Sequence, residues 1–84
     1  MAAEVALVNL GLKQGGKIAK IQGGREMVRR LEALGIRPGK RIKKVSCVFD
    51  RGPVIVDLDG RLIAVGRGQA SRIFVITDLG RVYG

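Results

Sequence analysis

The chain has no histidine and no tryptophan, a single cysteine, two prolines, and only seven acidic residues against sixteen lysines and arginines. Each shortage removes a class of function. Without imidazole, and with Cys47 as the one thiol, a single chain cannot assemble the His/Cys donor sets that hold transition metals tightly. The same gap removes the usual nucleophile and proton-shuttle constellations, so the protein is not expected to be an enzyme, and no catalytic, cofactor-binding or metal-binding residue is assigned. A lone cysteine also forbids an internal disulfide, which fits a reducing compartment. No run of about eighteen apolar residues occurs, so no membrane span is expected. The start, MAAEVALVNL, lacks a basic lead-in and carries Glu4, which makes it a poor signal peptide. A soluble cytoplasmic protein is the expectation.

Apolar residues make up 46% of the 84 positions and aromatics 4%. Val, Ile and Leu must therefore fill the core, which favours strands over helices. Thirteen glycines imply a chain that turns often and tightly. One domain over residues 1–84 is expected, with residues 77–84, TDLGRVYG, as a flexible tail that has little to pack against. The formal charge of +9 points to a polyanion or an acidic protein surface as partner, without choosing between them.

Along the chain, Gly16 to Gln22 reads as a strand bounded by glycine pairs, and the spacing of Ile18 and Ile21 predicts a bulge near Ala19. From Arg25 to Leu34 the apolar positions Met27, Val28, Leu31 and Leu34 trace one helical face, with Glu26–Arg30 and Arg29–Glu32 as supporting charge pairs. That apolar face is expected to seat the helix on the rest of the domain. Gly35 supplies a left-handed stop, Ile36 folds back onto Leu31, and Pro38-Gly39 suits a type II turn. Lys40 to Phe49 is a strand with mixed faces, its first half overhanging or bulged, followed by Val54 onward, the Asp59-Gly60 hairpin turn and Leu62 to Val65. Gly66 to Ala70 suggests one 3-10 turn before a last strand, Arg72 to Ile76. About five short strands with one inserted helix, near residues 25–34, cannot form two layers but can curl into a small SH3-like barrel.

Several patterns invite chemistry. GLKQGGKI, residues 11–18, matches a phosphate-binding P-loop at Gly11, Gly16 and Lys17, but Ile18 replaces the hydroxyl and a strand follows where a helix is needed. Gly66 to Ser71 imitates part of a dinucleotide fingerprint, lacks its last glycine and reads as a turn. Asp57 and Asp59 share a strand end, where Asp59 serves the turn and Asp57 is a solvated partner for an arginine. Lys40, Arg41, Lys43 and Lys44 form a dense basic run, yet only Phe49, Phe74 and Tyr83 could serve as stacking platforms, which disfavours nucleic acid. Lysines and arginines on strand faces also solubilise a barrel and guard its edges.

Two stretches resemble the FeoA family, ferrous iron transport protein A. RRLEALGIRPGKRI, residues 29–42, has the family's helix, Leu-Gly stop and Pro-Gly passage into a strand. GPVIVDLDGRLIAVGRGQASRIFV, residues 52–75, is similar to its hairpin, connector and final strand. The signature positions are Leu31, Leu34, Gly35, Ile36, Pro38, Gly39, Asp59 and Gly60. The resemblance implies an SH3-like barrel and a cytoplasmic adaptor of ferrous iron uptake whose partner is FeoB, a membrane permease with a GTP-hydrolysing domain. Similar domains also end iron-dependent repressors, so a small regulatory or nucleic-acid-binding barrel is the alternative. Arg25, Arg29, Arg30 and Arg37, on the rim holding the helix and its exit, are the expected partner-binding residues. Self-association through an open sheet edge is a further reading.

Overall fold

The computed structural model describes residues 3–47 and 52–77. Its frame is one antiparallel sheet of six strands: β1 (Ala3–Ala6), β2 (Gly15–Ile21), β3 (Arg41–Cys47), β4 (Val54–Leu58), β5 (Arg61–Val65) and β6 (Ile73–Thr77), in the order β1-β6-β2-β3-β4-β5. Helix α1 (Arg25–Ala33) joins β2 to β3, and the single turn α2 (Arg67–Ala70) joins β5 to β6. One sheet can bury a face only by curling around it. Ile18, Ile42, Val56, Val65 and Val75, drawn from five of the strands, meet in one cluster with Leu31 of α1 and with Leu7 and Leu10 around a 3-10 turn. The expected mainly β, SH3-like architecture is present, with one strand more than the five read from the sequence.

The additional strand is β1. AEVA offers a single β-branched residue, and its pairing is with the far end of the chain, Ala3 opposite Thr77 and Ala6 opposite Phe74. Thr77, counted above with the tail, instead closes β6: it is buried, pairs with both Ala3 and Gly16, and donates its hydroxyl to the Ala3 carbonyl at 3.4 Å. Residues 78–84, the remainder of the expected tail, lie outside the described residues, as do Val48 and Phe49.

The β2–β6 register shifts between Ile18 and Lys20, so the bulge expected near Ala19 is present and lets Ile21 also approach the core. A second shift, between Lys44 and Ser46, bends β3 against β4. Helix α1 ends in a Schellman arrangement: Gly35 donates to the Glu32 carbonyl at 2.9 Å and Ile36 to the Leu31 carbonyl at 3.0 Å. Gly35 takes φ +92°, where a side chain would be strained and crowded by Leu58. Ile36 is thereby driven into the core at 0% exposure, while Leu34, expected on the seated face, is left 42% exposed. The helix stops at Leu34, and Ile36 joins Leu31 in the core cluster. The charge pairs expected along α1 do not form: the ion pairs among the described residues are Lys20–Glu4 and Lys40–Asp59. Exposed helix pairs gain too little to hold two long side chains in one geometry.

After α1, Lys40 donates to the Arg37 carbonyl at 3.2 Å with Gly39 at φ +95°, the expected type II turn. Asp59 (φ 55°) and Gly60 (φ 85°) form the expected two-residue hairpin of type I′. The expected 3-10 turn is instead α-helical, since Ala70 donates to Gly66 and Ser71 to Arg67, each four residues back.

Strand β2 is hydrogen-bonded on both sides, and a Cβ at Gly16 would collide with the Ile76 carbonyl of β6. Gly16→Ala is expected to lower unfolding free energy by about 2–3 kcal/mol through overpacking. Gly68→Ala, in α2 with open space around it, is expected to raise it by about 0.5 kcal/mol. Urea denaturation of the two variants checks both.

Candidate partner-binding surface

The four arginines expected to bind a partner are all exposed, but the structure does not gather them. Arg29 and Arg30 line a shallow depression of about 300 Å³ on the outer side of α1 together with Glu26 and Ala33. Arg25 opens the helix, and Arg37 lies beyond its end in the type II turn. Glu26 and Glu32 are interleaved among them on the exposed face, so this rim carries both signs. Of the signature residues, Leu31 and Ile36 are core, Gly35, Pro38 and Gly39 shape the exit, and Asp59-Gly60 turns the hairpin. Arg61 donates to the Leu34 carbonyl at 3.0 Å, placing a cation at the helix C-terminus where the backbone dipole favours it.

A larger cleft, of about 490 Å³, opens over the beginning of β2. Lys13, Gly15, Arg41 and Lys43 line it, with Asp57, Asp59 and Gly60 of the β4–β5 hairpin on the other side. Asp59 serves the turn as expected, through its positive φ, but it is Asp59 that carries an ion pair, with a lysine, while Asp57, expected to partner an arginine, caps the same turn. Asp57 accepts the Gly60 N–H at 2.9 Å and so serves the turn, while Asp59 pairs with Lys40 at 3.5 Å. Among the described residues no group of three or more His, Cys, Asp or Glu side chains converges. Two engaged carboxylates beside three cations are a poor donor set for a metal ion.

The P-loop-like stretch lies along this cleft, and its parts have other tasks. Gly11 donates to the Gln14 side-chain oxygen at 2.7 Å in a turn, and Ile18 is buried in the core. Gly15 and Gly16 allow β3 and β6 to come close, since a Cβ on either would strike the Ile42 or Ile76 carbonyl. With strand where a helix N-terminus should follow, the backbone cradle that holds phosphates is absent from this stretch.

The basic run is divided by the pleat of β3. Arg41 and Lys43 face outward, whereas Lys44 is 7% exposed and points inward. Its ammonium donates to the Val8 carbonyl at 3.0 Å and the Leu10 carbonyl at 2.8 Å, satisfying backbone groups at the end of the 3-10 turn. Sequence reasoning missed this role, because a lysine inside a basic run carries no local sign that it is buried.

Comparison with known proteins decides the family. The FeoA domain model matches residues 5–77. This chain belongs to the FeoA family. An Fe(2+) transport protein A of Methanocaldococcus jannaschii is 38% identical over 58 residues, covering 69% of this chain and 68% of that protein. A crystal structure of the iron uptake regulatory protein FeoA superposes with a TM-score of 0.82 at 29% identity, covering 89% of this chain and 99% of the other. A manganese-dependent transcriptional repressor shares the fold at a TM-score of 0.82 and 20% identity, with 92% of this chain matching 43% of the repressor. This fold thus makes up nearly the whole of one of these two chains and less than half of the other. No described helix of this FeoA-family chain is long and apolar enough to cross a membrane.

Lys44→Met keeps the buried stem but abandons two carbonyls, and is expected to destabilise the domain by about 2–3 kcal/mol. Lys43→Met, on the outer face, is expected to stay within about 0.5 kcal/mol of the parent. Thermal and urea unfolding of the pair separates the structural lysine from the surface one.

Proposed function

We propose that this protein is a non-enzymatic accessory protein of ferrous iron transport, docking on the cytoplasmic, GTP-hydrolysing part of a FeoB-like membrane permease and modulating uptake. The observation that carries this reading is the family match over residues 5–77, which leaves almost none of the described chain to another function. The chemistry supports it. A +9 chain with no histidine and one cysteine is built to meet an anionic surface, not to turn over a substrate. A nucleotide site belongs to the partner in this reading. Iron is the transported substrate there, and one copy of this chain is expected to hold Fe²⁺ only weakly.

The likeness to a manganese-dependent transcriptional repressor favours one alternative, a regulatory or nucleic-acid-binding barrel. Three features oppose nucleic acid. Lys44 is removed from the basic run by burial. Two aspartates line the cleft beside its cations. The described aromatic, Phe74, lies under the Lys20 ammonium at 5.3 Å from its centroid, so its nearer face is already occupied.

The test is association of the whole chain with the purified cytoplasmic part of the permease from the same organism, followed by calorimetry at low and physiological salt. Saturable binding that weakens several-fold with salt is expected. No binding to the permease, together with retardation of labelled DNA or RNA, would transfer the protein to the regulatory reading. Anaerobic titration of the same preparation with Fe²⁺ is expected to show no tight site.

A further inference from the structure

Lysine and arginine are divided between two sides of this molecule. The cations of α1 are all arginines, Arg25, Arg29 and Arg30, whereas those of β2 and the turn before it are all lysines, Lys13, Lys17 and Lys20. Strand register fixes which side the lysines take. Lys17 stands opposite Ile76 of β6 and Lys20 opposite Phe74, so both project with these apolar residues from the outer face of the sheet. Lys43 of β3 lies on the same face and lines one depression with Lys13. Arg41, in register with Lys17, is the one arginine on this face. Ile76 is 40% exposed although its strand has hydrogen-bonded neighbours on both sides. Leu12, beside Lys13 in the turn that the Gln14 N–H closes on the Gly11 carbonyl, is 60% exposed. Acids are few here: Glu4 answers Lys20 at 3.4 Å, and Asp57, in register with Lys43, accepts the Gly60 N–H. Lys13, Lys17 and Lys43 form no ion pair with any described residue.

We propose that this outer face of β6, β2 and β3, with the Leu12–Lys13 turn at its rim, rests on an anionic lipid bilayer. The charge is complementary, and the composition selects lipid over the other anionic surfaces. Protein interfaces are depleted in lysine and enriched in arginine, the reverse of what this face presents. Nucleic acid would gain nothing from Ile76 and Leu12, and the nearer side of the Phe74 ring is covered by the Lys20 ammonium. A bilayer uses both kinds of side chain. Lysine stems lie along the acyl boundary while their ammonium groups follow mobile headgroup phosphates, which ask for a flexible point charge and not a fixed fork. Ile76 and Leu12 enter the headgroup layer between them. Attachment by these groups alone is weak and reversible, as suits a chain that must also meet a permease. The proposal goes beyond the accessory reading and rests on it only for which membrane is concerned.

The experiment is sedimentation of the whole chain with vesicles of phosphatidylcholine alone and of phosphatidylcholine mixed equally with phosphatidylglycerol. At low salt the mixed vesicles are expected to bind at least about tenfold more tightly than the neutral ones. Lys17→Glu/Lys43→Glu is expected to weaken that binding by about tenfold or more, while Arg29→Glu/Arg30→Glu, an equal change in net charge, leaves it within about twofold. Leu12→Ser, which keeps every charge, is expected to weaken it by about threefold or more. Dispersed amide spectra of each variant show that it is folded. No sedimentation with the mixed vesicles, equal losses in the two double variants, or polyglutamate or oligothymidylate bound as tightly as the vesicles through the same lysines would each overturn the proposal. Vesicle binding by a chain that does not bind the permease would sustain the face and defeat the accessory reading. Permease binding without vesicle binding would do the reverse.

Discussion

The tight seating of β2 between β3 and β6 is the constraint on which the rest of the molecule depends. β2 is the strand where the two halves of the sheet meet, and Gly16 meets Thr77 on one side and Ile42 on the other. Neither neighbour leaves space for a Cβ at Gly15 or Gly16. This close approach sets the register that puts Ile18, Ile42 and Val75 into one core, and it brings β3 near enough for Lys44 to reach the carbonyls of Val8 and Leu10. The lysine in turn pins the segment after β1, so that Leu7 and Leu10 are buried. The same absence of side chains floors the outer cleft. One pair of glycines therefore determines both how the sheet closes and where its surface is open.

Features legible in the sequence were those whose cause is local. The Leu-Gly-Ile helix stop, the Pro-Gly turn and the Asp59-Gly60 hairpin each depend on a backbone angle that a particular residue favours, and each forms as read. The bulge near Ala19 followed from two isoleucines that could not both face inward on a regular strand. What escaped was nonlocal. β1 owes its existence to β6, at the other end of the chain, not to the propensity of AEVA. The burial of Lys44 depends on carbonyls 34 and 36 residues away. Leu34 has helical spacing for the core but loses its place to Ile36, which only the three-dimensional course of the Schellman turn reveals.

The candidate site was less legible than the fold, for an electrostatic reason. Sequence shows which charges exist; it does not show which are already answered. Arg25, Arg29, Arg30 and Arg37 stand out in the chain as a dense set, yet in space two of them share a depression with Glu26. The lysines that are left unanswered sit on β2 and β3 and in the turn before them, diluted in the sequence by glycine and isoleucine. Family membership, established over residues 5–77, supplies a setting in iron transport, and the charge arrangement supplies a surface on which such a protein could act.

The most direct measurement is site-specific photo-crosslinking in living cells, with the reactive side chain placed at Leu62 beside the cleft or at Arg29 on the helix. The account expects the ferrous iron permease to be captured from at least one of the two positions. Capture of nucleic acid and of no permease from either position would contradict it.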